Sequence, residues 1–207
     1  MKPRRLAVCL SLAAILSARL SATDPHMTSA EREQLIKLLK DSQVEFVKAV
    51  SALSDEQWKW KPAPERWSVN ECSEHILLAE GLLFAKAREA IKNPATEDWE
   101  TKTKGKTEIL LQVMAPRLGK AKAPEDIVPS GTMARAEIMR RFAETRANTL
   151  KFVQDTDLPL KAHLAEHPFP IFNPLNAYQW VLYIPLHNMR HDKQIEEVKA
   201  TAGFPAK

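Results

Sequence analysis

Two histidines four residues apart, His187 and His191, are the residues of this chain best spaced to do chemistry. They stand in the stretch PLHNMRHDKQIEEVK, in register with the apolar residues Ile184, Ile195 and Val198. Side chains four apart on a helix lie one above the other, so both imidazoles can direct a nitrogen at one point about 2.0 to 2.1 Å away. Buried imidazoles need polar partners that aliphatic neighbours lack. The pair therefore indicates a metal site, against the alternative of two core histidines satisfied by hydrogen bonds.

A third ligand is available about one hundred residues earlier, where His75 aligns with the apolar stripe of Cys72, Ala79 and Leu82. Three inward histidines from two helices leave a coordination position for water or substrate, as catalytic rather than structural sites do. Spacing alone leaves open whether all three residues bind one ion.

Two other metal chemistries are disfavoured by spacing. A zincin carries a glutamate directly after its first histidine, but Asn188 follows His187. A di-iron bundle carries two Glu-x-x-His motifs, but Cys72 stands three residues before His75, and neither later histidine has a glutamate there. His163 and His167 are also four apart, but they border a Pro-rich connection, and we expect a loop or helix-end role for them.

The neighbours of these histidines have simpler interpretations than catalysis. We expect Cys72 to pack as a small buried residue and not to act as a fourth ligand or a reactive thiol. Glu71 and Asp192 are placed to orient an imidazole, but both also fit a plain helix surface. We expect Arg190 and Lys193 to be solvated. Four of the five tryptophans are expected to form core or pocket wall, namely Trp58, Trp60, Trp67 and Trp180.

Helices must position these residues, because the chain has only five glycines and no sustained alternation of apolar and polar residues. Capping boxes at Thr28 and Ser68 predict helices that run to about residue 53 and to about Lys92. A third helix is predicted over about 132–154, and a fourth from an Asn173 cap with Pro174 at its first position to about Ala202.

The predicted fold class is therefore all-α, a four-helix bundle with a long connection, residues 94–130, between the second and third helices. This connection can hold a short helix near KTEILLQVM. Bundles place metal sites on the facing sides of their helices, which agrees with the predicted positions of the three histidines.

Residues 1–22 have the basic, apolar and small-residue order of a secretory signal peptide. We expect cleavage after Ala18 or Ala22, a periplasmic or secreted protein, a short linker at 23–27 and one domain at 28–203. The apolar run is too short to span a bilayer and no later stretch qualifies, so no stable membrane insertion is expected.

Charge and cysteine content exclude further classes. The signal segment holds four of the 30 basic residues and no acid, so its removal leaves 26 residues of each sign and no indication of nucleic-acid binding. Removal also leaves Cys72 as the sole cysteine, so an intramolecular disulfide is excluded.

Two segments closely resemble the DinB-like superfamily of metalloenzymes. They are LSDEQWKWKPAPERWSVNECSEHILLAE at 53–80 and AYQWVLYIPLHNMRHDKQIEEV at 177–198, and the resemblance covers about 28–200. It implies a four-helix bundle with a divalent metal held by three histidines, which match His75, His187 and His191. Zinc is the first expectation, and nickel, iron and manganese are alternatives.

The same resemblance implies an activity, because relatives of this type include thiol-dependent S-transferases and a mycothiol-dependent maleylpyruvate isomerase. We expect an exported metal-dependent transferase that acts on a small molecule with a low-molecular-weight thiol, and a homodimer is a candidate assembly. The alternatives are a hydrolase that uses activated water and a non-catalytic binding or scaffold bundle. Export separates this chain from the cytoplasmic thiol chemistry of those relatives.

Overall fold

The structure, a computed structural model, describes residues 23–119 and 122–206, so the predicted signal peptide lies outside the described residues. The helices are α1 (Ser29–Ser51), α2 (Asp55–Lys59), α3 (Val69–Lys92), α4 (Trp99–Thr103), α5 (Lys106–Val113), α6 (Arg135–Asp155) and α7 (Ala177–Lys199). Strands β1 (Leu164–Ala165) and β2 (Leu175–Asn176) form a short antiparallel ladder, and 3-10 turns span Glu125–Ile127 and Leu160–Ala162.

The four long helices α1, α3, α6 and α7 form the predicted all-α four-helix bundle. Helices α1 and α3 each pack against both α6 and α7, and the α3–α7 pair shares the longest contact. Buried apolar side chains fill the interior in two clusters, one around Phe46, Ile76 and Phe142, the other around Leu35 and Ile184. The longest helix contact thus joins the two helices that carry the predicted ligands.

The first two bundle helices begin where the sequence predicts. The Thr28 and Ser68 hydroxyls each accept a hydrogen bond from the backbone N–H three residues later, and Glu31 and Glu71 return the bond to the cap backbone. Two orphan N–H groups are therefore satisfied at each helix start. This box fixes where α3 starts, and so fixes the height of His75 along the bundle.

The predicted start of the last helix is wrong by three residues. Asn176, not Asn173, caps α7, and Gln179 completes the capping box. The chain stays extended until Asn176 because β2 pairs with β1, and Asn173 instead accepts the backbone N–H of His167. Helix α7 then continues through Pro185 to Lys199.

The connection between α3 and α6 contains α4, α5 and a 3-10 turn, and α5, Lys106–Val113, confirms the predicted short helix. The Glu74 carboxylate anchors the end of this connection to α3. It accepts hydrogen bonds from the Ser130 N–H, the Ser130 hydroxyl and the Gly131 N–H at 2.8 to 3.0 Å. The backbone that precedes Ser130 is thereby held against the N-terminal part of α3, where His75 lies.

Within the described ranges, no helix combines the length and the apolar content that crossing a membrane would require.

Candidate metal centre

The structure brings the three predicted ligands, His75 of α3 and His187 and His191 of α7, to one point. One nitrogen from each ring lies within 4.8 Å of the others. The ring centres of His75 and His191 are 4.4 Å apart, those of His187 and His191 are 4.5 Å apart, and those of His75 and His187 are 5.1 Å apart. Helix periodicity alone placed all three on facing surfaces, and the α3–α7 contact closes the group.

Hydrogen bonds fix which nitrogen of His75 is free. Its Nδ1 lies 2.7 Å from the carbonyl oxygen of Ile127. A carbonyl only accepts, so Nδ1 must carry the proton and Nε2 keeps its lone pair. This is the arrangement found for metal-ligating histidines, whose second nitrogen usually donates to an oxygen.

The same reasoning applies to His191. Its Nδ1 lies 2.8 Å from Oε1 of Gln194, and Nη1 of Arg117 lies 2.9 Å from the same oxygen. A guanidinium only donates, so the Gln194 atom is the acceptor and His191 Nδ1 must carry the proton. Two of the three rings therefore present Nε2 in the form that binds a cation, and this donor set fits a divalent metal.

Burial keeps all three imidazoles in the ligating form. Removal from water is the main cause that lowers the pKa of His75, and it lowers the pKa values of His187 and His191 further. Neighbouring imidazoles add a smaller effect at His187 and His191, because two positive rings repel each other. Metal binding needs neutral imidazole, so protons compete little near neutral pH.

A cavity of about 1260 Å³ opens beside the three rings, between α3, α7 and the connection that contains α5. Its walls are largely apolar and include Leu83, Met114 and Trp67. The Trp67 ring centre is 4.7 Å from that of His75. The site is therefore open to a small molecule from the cavity.

Aromatic rings surround His167, which lines the same cavity. The ring centre of His167 is 5.1 to 5.7 Å from those of Phe169, Phe172, Trp180 and Tyr183. We call these five residues the aromatic box. Burial lowers the pKa of His167 to about 4, and its Nδ1 accepts the Phe169 N–H. His163 bonds the Asn93 carbonyl at 2.8 Å instead, so both residues have the predicted loop role.

The predicted orienting acids do not contact the imidazoles. Glu71 completes the α3 capping box and pairs with Lys61 at 2.8 Å. Asp192 accepts both hydrogen bonds of the Asn188 amide at 3.0 and 3.1 Å. The groups that orient His75 and His191 are the Ile127 carbonyl and Gln194. Gln194 could have been found from its spacing, three residues after His191, whereas nothing in the connection points to Arg117 or Ile127.

Two other expectations have opposite outcomes. Cys72 is fully buried and unpaired, and burial raises the pKa of its thiol, so it packs in the core as predicted. Arg190 is buried with only 9% of its surface exposed, so the expectation of a solvated side chain is wrong. The reason is that it donates to the carbonyls of Leu118 and Gly119 in the connection that covers α7.

Comparisons with known proteins agree with this geometry. A family model described as the DinB superfamily matches residues 38–195. Uncharacterized protein YuaE of Bacillus subtilis (strain 168) is 26% identical over 170 residues, which make up 79% of this chain and 96% of YuaE. A solved structure of YfiT from Bacillus subtilis, described as a probable metal-dependent hydrolase with an unusual four-helix bundle topology, aligns with a TM-score of 0.51. The identity to YfiT is 14%, and the alignment covers 86% of this chain and 91% of YfiT, so the likeness is one of fold.

Proposed function

Because this chain belongs to the DinB superfamily, we propose that it is a metal-dependent enzyme whose divalent ion is held by His75, His187 and His191. The observation that carries the proposal is that these three rings converge on one point. In two of them Nδ1 donates a hydrogen bond to an oxygen, which leaves Nε2 free to bind the ion. Zinc is the ion we expect first because it favours nitrogen ligands and tolerates an open position. Nickel, iron and manganese are the alternatives.

A divalent ion in this site would lower the pKa of a thiol or a water that it coordinates, so that the nucleophilic form exists at neutral pH. The residues of the chain do the rest of the work. Because the three imidazoles are neutral, they add no positive charge of their own to that of the ion. The apolar wall around Trp67 and Leu83 gives the organic part of a substrate a surface to pack against.

A low-molecular-weight thiol is the nucleophile we propose, which makes the reaction a thiol-dependent S-transfer. The cavity of about 1260 Å³ has room for a thiol and an electrophile together. Among residues 23–119 and 122–206 the chain provides no accessible thiol of its own, since Cys72 is fully buried. The second candidate is hydrolysis by activated water, which the description of YfiT as a probable metal-dependent hydrolase supports.

The test compares metal-loaded protein, metal-stripped protein and the His187→Ala variant in two assays. One follows the attack of added small thiols on a chromogenic aryl halide, and the other follows the hydrolysis of a nitrophenyl ester without thiol. Metal-dependent turnover only when thiol is present supports the transferase, and turnover with water alone supports the hydrolase. The Cys72→Ala variant should keep most of the activity. Equal rates with and without metal in both assays would leave only the non-catalytic binding bundle.

We also propose that the protein is exported and processed, on the basis of the sequence order of residues 1–22. The thiol or water would then be drawn from outside the cytoplasm. Intact-mass measurement of protein recovered from the native cell envelope should find the segment missing. Full-length protein in the cytoplasmic fraction would contradict export without affecting the metal site.

A further inference from the structure

In the part of the chain that the structure describes, Arg190 is a buried cation without an acidic partner. Only 9% of its surface is exposed, and its Nη1 and Nη2 donate to the carbonyls of Leu118 and Gly119 at 3.2 and 2.7 Å. Within 23–119 and 122–206, no carboxylate lies within ion-pair distance of its guanidinium. Two of its five N–H groups are therefore used, and its positive charge is not neutralised.

The acid whose charge acts on Arg190, Glu197, is already paired with another residue. It binds Arg117 at 2.9 Å and makes no ion pair with Arg190. Burial, and then repulsion by Arg117, lower the pKa of Arg190. A buried charge that stays unpaired costs free energy, and an anion placed beside it would recover that cost.

Arg190 lines the same cavity as the metal centre. It follows His187 by three residues and precedes His191 directly, so it lies within one helical turn of both rings. Its charge is therefore available to a molecule that also reaches the open side of the metal centre.

Another part of the cavity wall is aromatic. Tyr183 and Trp180 of the aromatic box lie four and seven residues before His187, which is roughly 6 and 10 Å along α7. The Tyr183 ring centre is 6.0 Å from that of His187, so box and metal centre are continuous. At the rim, Phe169 and Ile171 are 37% and 55% exposed, although both are large apolar side chains.

We propose that this cavity binds an amphipathic organic anion, whose acidic group pairs with Arg190 beside the metal centre and whose apolar body lies against the aromatic box. The inference deepens the proposed function by naming the substrate class of the same site. A carboxylate or sulfonate on an aromatic or aliphatic body has this chemistry.

Two fluorescent probes of matched shape test the proposal, 8-anilinonaphthalene-1-sulfonate and its uncharged counterpart N-phenyl-1-naphthylamine. The ratio of their Kd values is measured for the full chain, both zinc-loaded and after chelation. Arg190→Gln should weaken binding of the anionic probe at least about tenfold relative to the neutral probe, because a charged hydrogen-bonded pair is lost. Arg190→Lys, the second variant, should keep most of the preference.

Two variants serve as controls. Arg88→Gln, an exposed position on α3 outside the cavity, should leave both Kd values unchanged. Phe169→Ala, at the rim, should weaken both probes alike. An unchanged ratio in Arg190→Gln, or an equal loss of both probes, would overturn the proposal, since Arg190 would then only tether the connection. If the preference for the anionic probe persists after chelation, the binding proposal is supported even when no metal-dependent activity is found.

Discussion

At the scale of single residues, the chemistry of the centre depends on which nitrogen of each imidazole carries the proton. The Ile127 carbonyl decides this for His75, and the Gln194 amide decides it for His191, with Arg117 holding the amide oxygen in place. Gln194 belongs to α7, whereas Ile127 and Arg117 belong to the connection between α3 and α6. The ligands are therefore oriented by the fold as a whole and not by α3 and α7 alone.

Gln194→Ala should weaken metal binding about 10- to 100-fold, because His191 loses the acceptor that holds its ring and its tautomer. Gln194→Glu, which keeps an acceptor at this place, should retain most of the affinity. Chelator competition measures both, and Gln34→Ala, on the exposed surface of α1, is the matched control. Unchanged affinity in Gln194→Ala would show that the hydrogen bond has no role in binding.

His167 predicts a pH dependence of stability. Its pKa is lowered from 6.5 to about 4, mainly by burial and to a lesser degree by the charge of Lys106. The unfolded chain then binds more protons than the folded chain between these values, so stability should fall as the pH drops from 6.5 toward 4.

His167→Asn keeps an acceptor for the Phe169 N–H and removes the titration, so it should flatten this part of the pH profile. Solvent in the cavity screens the effect, and we expect a difference of about 1 to 2 kcal/mol in the free energy of unfolding at the acid end. Urea unfolding of metal-free protein at several pH values measures it. Parallel profiles for the two proteins would contradict the prediction.

At the scale of helices, one buried guanidinium joins the whole bundle. Arg146 of α6 is fully buried and binds both carboxylate oxygens of Glu80 on α3 at 2.9 Å. It also donates to Asn188 on α7, to Ser42 on α1 and to the Leu39 carbonyl. Since Asn188 follows His187 directly, this network also supports the α7 segment that carries the ligands.

Arg146→Met should destabilise the protein by about 3 to 5 kcal/mol, because the Glu80 carboxylate is left buried without its partner. The double variant Arg146→Met/Glu80→Leu should recover much of this loss, since neither charge remains. Arg140→Met, which removes exposed ion pairs on the same helix, should have little effect. Denaturant unfolding measures all three, and a loss below about 1 kcal/mol for Arg146→Met would refute the pairing argument.

The helices show which features the sequence could predict. Capping boxes at Thr28 and Ser68 are local signals, and both helix starts were correct. The start of α7 was missed because a nonlocal ladder keeps the chain extended up to Asn176. The burial of Arg146 was missed because charged residues are usually exposed, although its position four residues after Phe142 lies on the buried stripe of α6.

At the metal centre, too, the sequence predicts the residues on the helices but not those in the connection. The three histidines lie on two long helices, where periodicity indicates the inward face, and the structure brings all three rings together as the sequence predicts. Arg117 and Ile127 belong to the connection, which has no periodicity to indicate a face. Arg190 was misjudged for a related reason, since the segment that buries it, Leu118–Gly119, comes from the same connection.

At the scale of the whole molecule, the bundle provides the ligands and the connection completes the site. Glu74 anchors residues 130–131 to α3, and the preceding turn places the Ile127 carbonyl on His75. Helix α5 packs on α7 and closes one side of the cavity. The long connection between the second and third bundle helices is thus part of the site and not only a link.

Metal content of the purified protein, measured by mass spectrometry of the elements after purification without chelators, tests the metal centre most directly. We predict about one divalent ion per chain in the wild type and in His163→Ala. Single replacement of His75, His187 or His191 by Ala should remove most of the metal from the folded protein, with helical content unchanged by circular dichroism. A wild type without metal after reconstitution with zinc, nickel, iron or manganese, or full occupancy in His187→Ala, would contradict the assignment of this site.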